Sequence, residues 1–232
     1  MINDMLIYEL GLRLWRDHLV MKIRERLTGA VKPRGGEDDQ LAADVRHTME
    51  KPERFKHKQD PEFFAGACMM ATQAIREFYA QGSTTMLLEM LHRNAYYMVL
   101  YKKGADLYSA VETAMASEVQ SLWRALNDAA PAEFLQELLA KWNQHIEAVK
   151  MTRDMLMYMD WTFVPTNRKT PIRELGLRLW RDQLTSSDEV RERLTEAVKR
   201  RGGEDELVAA VNKMLTELGP DVPGFFFQRV FG

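Results

Sequence analysis

The 232-residue sequence contains one cysteine, Cys68, so it cannot form an internal disulfide. A single cysteine suits a reducing compartment and leaves no disulfide framework to organise the fold. The N-terminus also has no basic stretch followed by a short apolar core and a small-residue cleavage site, the pattern typical of a secretion signal. These absences predict a protein of the cytoplasm, the nucleus or both.

The sequence also has no long apolar run. The longest weakly polar stretch, residues 63–75, contains Thr72 and Gln73 and is well short of the ~20 residues that a membrane-spanning helix needs. Hydrophobic residues make up 46% of the chain and charged residues 28%, which is ordinary for a soluble folded protein. We therefore expect no membrane partner.

Charge of one sign is not in excess either. The sequence has 32 Lys and Arg against 34 Asp and Glu, a formal net charge of −2. A protein that binds phosphates without reading sequence needs a basic surface excess. We therefore expect no nucleic-acid partner.

Residues that could carry chemistry are isolated in the sequence. No His or acid can be placed beside Cys68, so we interpret it as a small hydrophobe rather than a nucleophile. His57 has no second His or Cys at metal-ligand spacing. The glycine pairs 35–36 and 202–203 have no strand before them and no Lys-Ser/Thr after them, so they read as turns rather than phosphate loops. We predict no enzymatic activity, no cofactor and no metal.

A duplication is the clearest internal signal. The block Glu-Leu-Gly-Leu-Arg-Leu-Trp-Arg-Asp occupies residues 9–17 and again 174–182. Further matching blocks within 24–38 and 191–205 follow at an offset two residues larger. Because repeat arrays recur every ~20–50 residues, two distant copies indicate a duplicated piece instead.

Between the copies the apolar residues are spaced as in helices, and alternation over strand length is scarce. The fold class we predict is all-α. Asp60, Pro61 and Glu62 form a helix start signal. The pattern predicts a helix from Pro61 to Gly82, then helices over about 85–101, 107–127, 131–160, 172–184, 188–199 and 204–218. A connection is predicted at 161–170 and no clear helix in the tail, 219–232.

The most specific motif is Leu-His-Arg-Asn-Ala-Tyr-Tyr-Met-Val-Leu at residues 91–100, followed by Lys-Lys-Gly at 102–104 and Leu-Tyr at 107–108. It resembles the N-terminal region of cullins. Further stretches, at 55–61, 142–143, 155–160 and 176–182, are similar to cullin segments in the same order, and of the subtypes the sequence most resembles cullin 3.

The resemblance implies a cullin-repeat-like helical bundle made of a first repeat and part of a second. Residues 1–50 are a duplicated helical segment resembling the start of a second repeat, 51–162 the first repeat, 163–218 the partial second repeat and 219–232 a Phe-rich tail. Whether residues 1–50 pack as extra helices or form an appendage stays open.

Cullins hold a substrate adaptor at the N-terminal end and a RING-box subunit at the C-terminal end of a helical scaffold. The resemblance therefore implies a scaffold fragment of a ubiquitin ligase that binds a BTB-domain adaptor, without the RING-box-binding half. The cullin positions that face the adaptor match Leu88, Glu89, His92, Tyr96 and Tyr158.

Two of these positions depart from the family pattern, because Leu88 and His92 replace a Phe and a Tyr. The wide apolar cover of this helix also fits packing within the domain instead of partner binding. The alternative function is a helical fragment from gene duplication with no specific partner, stabilised by self-association because an unfinished repeat leaves an apolar face bare.

Overall fold

The structure, a computed structural model, describes residues 61–186, 188–202, 205–220 and 222–227, without the side chains of residues 224, 225 and 227. The first copy of the duplicated block and His57 lie outside the described residues. Within them the chain forms helices and no strand, which confirms the all-α prediction. In chain order the helices are α1 Pro61–Gln81, α2 Leu88–Leu100, α3 Gly104–Asn127, α4 Phe134–Met155, α5 Met157–Thr166, α6 Ile172–Ser186, α7 Asp188–Arg201, α8 Glu206–Leu218 and α9 Val222–Phe227.

The first helix follows the sequence pattern closely. Pro61 and Glu62 occupy its first turn, and Gly82 ends it with a positive φ of 66°. Such a backbone conformation suits glycine because it has no Cβ. The buried residues Ala71, Ile75 and Phe78 recur at steps of three and four and pack in the core.

The start of α2 differs from the prediction by three residues. Its N-cap, Leu87, makes no side-chain capping bond. Instead the Glu77 carboxylate of α1 accepts hydrogen bonds from the Thr84 hydroxyl at 2.6 Å and from the Thr85 backbone N–H at 3.1 Å. These bonds hold residues 84 and 85 outside the helix, so α2 begins only at Leu88.

The predicted connection at 161–170 is wrong over its first half. Helix α4 ends at Met155, Leu156 interrupts the helical conformation, and α5 then continues through Thr166. Pro165 lies near the C-terminal end of α5, and the turn follows it at residues 167–171. The tail also holds a short helix, α9, where we expected none.

The helices pack around one core. Helix α1 lies against α3 and α4, while α2 lies against α1 and α5. Helix α6 packs on α3 and α4, and α8 packs on α4 and α6. All described residues belong to one compact unit, Asp60–Gly232. None of the described helices is long and apolar enough to cross a membrane.

The second copy of the duplicated block forms α6 and is a principal part of this core. Its buried residues are Ile172, Leu175, Gly176, Trp180 and Leu184. Trp180 packs against Trp123, Trp142 and His145 with ring centroids 5.0–5.5 Å apart. Gly176 lies so close to α4 that a Cβ there would be 2.5 Å from Cγ2 of Val149. The absence of a side chain at 176 therefore sets how closely α6 approaches α4.

The last helix closes one end of the described core. Helix α9 packs on α7 and α8, and its Phe226 is buried. Phe226 therefore covers apolar surface at this end of the described core.

Candidate functional site

The predicted adaptor-binding residues fall on two neighbouring helices. Leu88, His92 and Tyr96 succeed one another every four residues along α2, with Glu89 beside Leu88. Tyr158 lies in the first turn of α5, and α2 packs against α5. We call the surface formed by Leu88, Glu89, His92, Tyr96 and Tyr158 the α2–α5 surface.

Tyr96 and Tyr158 meet directly. Their ring centroids are 4.8 Å apart and the ring planes cross at 64°, an edge-to-face arrangement that aromatic pairs favour. Both residues are half-buried. The pair therefore joins the two helices while both residues remain partly exposed.

Leu88 lies about 12 Å and Glu89 about 10.5 Å from Tyr96 along the α2 axis, since eight and seven residues of helix rise 1.5 Å each. Both are half-buried, and Leu88 packs partly against the core. They form the N-terminal end of the surface and the tyrosine pair forms its other end.

His92 takes a different position. Only 7% of its surface is exposed, so it lies on the buried face of α2 with Leu91, Ala95 and Met98. His92 therefore offers a partner little area.

Sequence reasoning missed two exposed residues at this surface. Leu87 is not among the predicted site residues, yet it is 73% exposed because it precedes the first turn of α2. Trp161 was assigned to a connection, yet it lies on α5 three residues after Tyr158 and is 57% exposed. Only the late start of α2 and the continuation of α5 reveal them.

Helix α5 is held firmly under this surface. The Asp160 carboxylate accepts a hydrogen bond of 2.8 Å from the backbone N–H of Ile172, at the start of α6. Val164 is buried, and the Phe163 ring packs on Gly104, where a Cβ would lie 2.6 Å from Cδ2 of the ring. Burial raises the pKa of Asp160, partly offset by the bond from Ile172. These contacts hold the helix that carries Tyr158 and Trp161 against its neighbours.

An aromatic band continues from the tyrosine pair to the start of α1. Tyr97 lies beside Tyr96 at 5.5 Å and stacks on Tyr101 at 6.2 Å. Phe63 approaches Tyr97 at 6.3 Å and Phe64 approaches Tyr101 at 6.0 Å. The C-terminal half of α2 is thus braced by rings on both sides.

No chemistry-bearing cluster accompanies this surface in the part of the chain that the structure describes. Cys68 is half-buried, and burial, with the Asp106 charge second, raises the pKa of its thiol. A raised pKa leaves less thiolate, the nucleophilic form. Among the described residues no three His, Cys, Asp or Glu side chains are grouped to hold a metal ion.

The geometry defines a class of protein: packed helices around one continuous core, with a partly exposed aromatic surface on two of the described helices. Comparison with known families agrees. Residues 69–232 match the family described as Cullin alpha solenoid domain. This chain belongs to the cullin family.

Its relatives refine that placement. The chain is 37% identical to Cullin-3B and 35% identical to Cullin-3A of Arabidopsis thaliana over 189 residues, which cover 77% of this chain and 26% of each relative. It is 31% identical to Cullin-3 of Dictyostelium discoideum, over 73% of this chain and 23% of that protein. The chain therefore spans about a quarter of the length of these relatives, and the resemblance to cullin 3 is confirmed.

Proposed function

We propose that this chain acts without catalysis, as a scaffold segment of a ubiquitin ligase, and that its α2–α5 surface binds a BTB-type substrate adaptor. Membership of the cullin family supports the scaffold role. The observation that carries adaptor binding is the Tyr96–Tyr158 pair, whose ring centroids lie 4.8 Å apart across two helices while both residues stay partly exposed. The proposal places the protein in the cytoplasm, the nucleus or both.

The surface has the composition of a protein-binding site. Tyrosine is enriched at interface hot spots, and a rigid ring contributes contact area with little loss of conformational entropy. Leu88 adds apolar area, while Glu89 and the Tyr158 hydroxyl supply polar groups that set the register of the partner. Exposed Leu87 enlarges the apolar area at the N-terminal end.

The departures from the family pattern should lower the affinity for the adaptor more than they change the position of the binding surface. Leu88 and His92 stand where cullins have aromatic residues, and His92 is buried. We therefore propose that binding depends mainly on Tyr96 and Tyr158, with affinity below that of a surface that keeps all its aromatic anchors.

The test is isothermal titration of the full chain with a panel of purified BTB domains. We expect at least one domain to bind with micromolar or tighter affinity, and Tyr96→Ala to weaken that binding at least tenfold, about 1.4 kcal/mol. The matched control is Met69→Ala, because Met69 is also a large exposed apolar residue but lies on α1.

Absence of heat with every folded BTB domain would contradict the proposal. If the free chain then also showed a mass that rises with concentration in analytical ultracentrifugation, the alternative would be favoured: a helical fragment from gene duplication stabilised by self-association.

The division of the chain stays part of this proposal. We propose residues 51–162 as the adaptor-binding first repeat, 163–218 as part of a second repeat, 1–50 as the duplicated segment and 219–232 as the Phe-rich tail.

A further inference from the structure

Four large apolar side chains are exposed in the described part of this chain, and two of them, Leu100 and Trp161, lie about one helical turn from the tyrosine pair. Leu87, Leu100 and Trp161 lie on or directly beside α2 and α5, whereas Met69, 68% exposed, is on α1. Clustered exposed apolar residues indicate interaction sites, while single ones are ordinary.

Trp161 and Leu100 extend the tyrosine pair in one direction. Helices α2 and α5 run the same way, because Tyr158 lies beside Tyr96 and Phe163, further along α5, lies beside Gly104, just past the end of α2. Leu100 is four residues after Tyr96, and Trp161 is three residues after Tyr158. Both steps equal about one helical turn, so the two residues continue the surface on its far side.

We propose that Trp161 determines which adaptors bind, by selecting those that place aliphatic or aromatic side chains opposite it. This inference rests on the proposed adaptor binding. A tryptophan side chain can bury 150–250 Å² and is the residue most typical of interface hot spots.

The fixed position of α5 makes this selection effective. Asp160, Phe163 and Val164 anchor the helix on the side away from solvent, so Trp161 enters the complex with its backbone already ordered. Preordered contacts lose less entropy on binding.

The indole has one N–H donor and no acceptor besides its ring face. The indole itself carries no charge, so a carboxylate placed against its ring loses hydration without gaining an ion pair from Trp161, which is unfavourable. Rejection of such adaptors adds to the specificity that apolar contact provides.

The experiment compares Tyr96→Ala, Trp161→Ala, Trp161→Phe and Trp161→Arg against the same panel of BTB domains, with the full chain throughout. Tyr96→Ala tests the proposed function and should weaken every adaptor. Trp161→Ala should weaken adaptors unequally, by at least tenfold for the tightest binder and less than threefold for others. Trp161→Phe should recover part of that loss, and Trp161→Arg should shift the ranking toward adaptors with acidic surfaces.

An added readout separates an apolar contact from a charged one. The affinity ratio between the parent chain and Trp161→Ala should stay constant from 50 to 500 mM NaCl, because salt screens charges but not apolar burial. Met69→Ala is again the control, and circular dichroism confirms that each variant folds.

Failure of the two proposals would look different. If Tyr96→Ala abolishes binding while Trp161→Ala changes every adaptor by the same factor or by less than twofold, Trp161 does not determine specificity and adaptor binding stands. If no adaptor binds the parent chain, both the proposed adaptor binding and the proposed role of Trp161 are contradicted.

Discussion

His145 lies at the centre of the core with none of its surface exposed. Its Nδ1 is 2.8 Å from the Tyr79 hydroxyl and its Nε2 is 3.1 Å from the Gly176 carbonyl oxygen. A carbonyl can only accept, so Nε2 donates its proton and Nδ1 accepts from the Tyr79 hydroxyl. One neutral imidazole thus links α1, α4 and α6, with Trp180 stacked 5.0 Å from its ring.

This environment makes stability depend on pH. Burial lowers the pKa of His145 to about 4, although the bond to Gly176 opposes that shift. Burial, with the Glu118 charge second, raises the pKa of Tyr79, so the hydroxyl stays protonated. The unfolded histidine has an ordinary pKa near 6.5 and takes up a proton first as pH falls. Stability from the neutral His145 is therefore full above pH ~6.5 and is lost as pH falls toward 4.

We predict that His145 accounts for a loss of about 2 kcal/mol in unfolding free energy between pH 7 and pH 5. His145→Gln has no titratable group, so its stability should change less over this range. Urea denaturation at the two pH values measures the difference. Equal pH dependence in the parent chain and the variant would contradict the assignment, and Tyr79→Phe, which keeps the histidine, should retain the parent's pH dependence.

At the scale of helices, the close contact between α4 and α6 is set by Gly176. A Cβ there would approach Cγ1 and Cγ2 of Val149 to 2.9 and 2.5 Å, and a β-branched valine within a helix has little freedom to move aside. Helix α6 must then shift away from α4, which also disturbs the bond from His145 to the Gly176 carbonyl.

We predict that Gly176→Ala lowers the unfolding free energy by about 1–3 kcal/mol, despite the better helix propensity of alanine. Combined with Val149→Ala, which removes both clashing methyl groups, the loss should be smaller than the sum of the single losses. Denaturant unfolding of the four chains forms a double-mutant cycle. Gly66→Ala is the control, because a Cβ at that helical glycine meets no atom within 4 Å. Strict additivity would mean that the two side chains do not collide.

The two copies of the duplicated block share the residues that are buried in α6. The buried residues of α6 have identical counterparts in the first copy: Ile7, Leu10, Gly11, Trp15 and Leu19. The first copy thus carries the same apolar pattern that buries α6, including the glycine. Whether the first copy packs as extra helices or forms an appendage can be tested by hydrogen exchange of residues 6–31.

At the scale of the molecule, the predicted first and second repeats share one core. Trp180 of α6 contacts Trp123 of α3 and Trp142 of α4. Arg193 of α7 lies over the Phe134 ring at 4.5 Å and donates to the carbonyl oxygens of Asn127 and Ala129 at 3.1 and 2.8 Å. The boundary proposed near residue 163 therefore separates repeats in sequence, while their side chains interlock.

We predict that α4 and α6 unfold together. Native-state hydrogen exchange should give the buried amides of both helices the same opening free energy, within about 1 kcal/mol, because exposing Trp180 also opens the core around Trp142 and His145. The N-terminal amides of the helices, which have no intrahelical acceptor, provide the internal control of weakly protected amides. Full protection of α4 while α6 exchanges several kcal/mol more easily would show two independent units.

The amino-acid sequence by itself determined the helical class, most helix positions and the family. Apolar residues at steps of three and four and turn glycines act locally along one helix, so they are readable without the fold. The start of α2 was not readable, because Glu77 of another helix removes Thr84 and Thr85 from it. The extent of α5 was not readable from the sequence either, because contacts of Asp160 with α6 and of Phe163 with α3 stabilise it.

The candidate site divides in the same way. Tyr96 and Tyr158 were named from sequence motifs, but their contact and the exposure of Leu87 and Trp161 are properties of the packed helices. Likewise, the resemblance to cullins placed His92 among the adaptor-facing residues, whereas packing of α2 against its neighbours buries it. The sequence shows which residues are apolar. The tertiary structure decides which of them stay exposed, because burial depends on neighbouring helices that the local pattern does not specify.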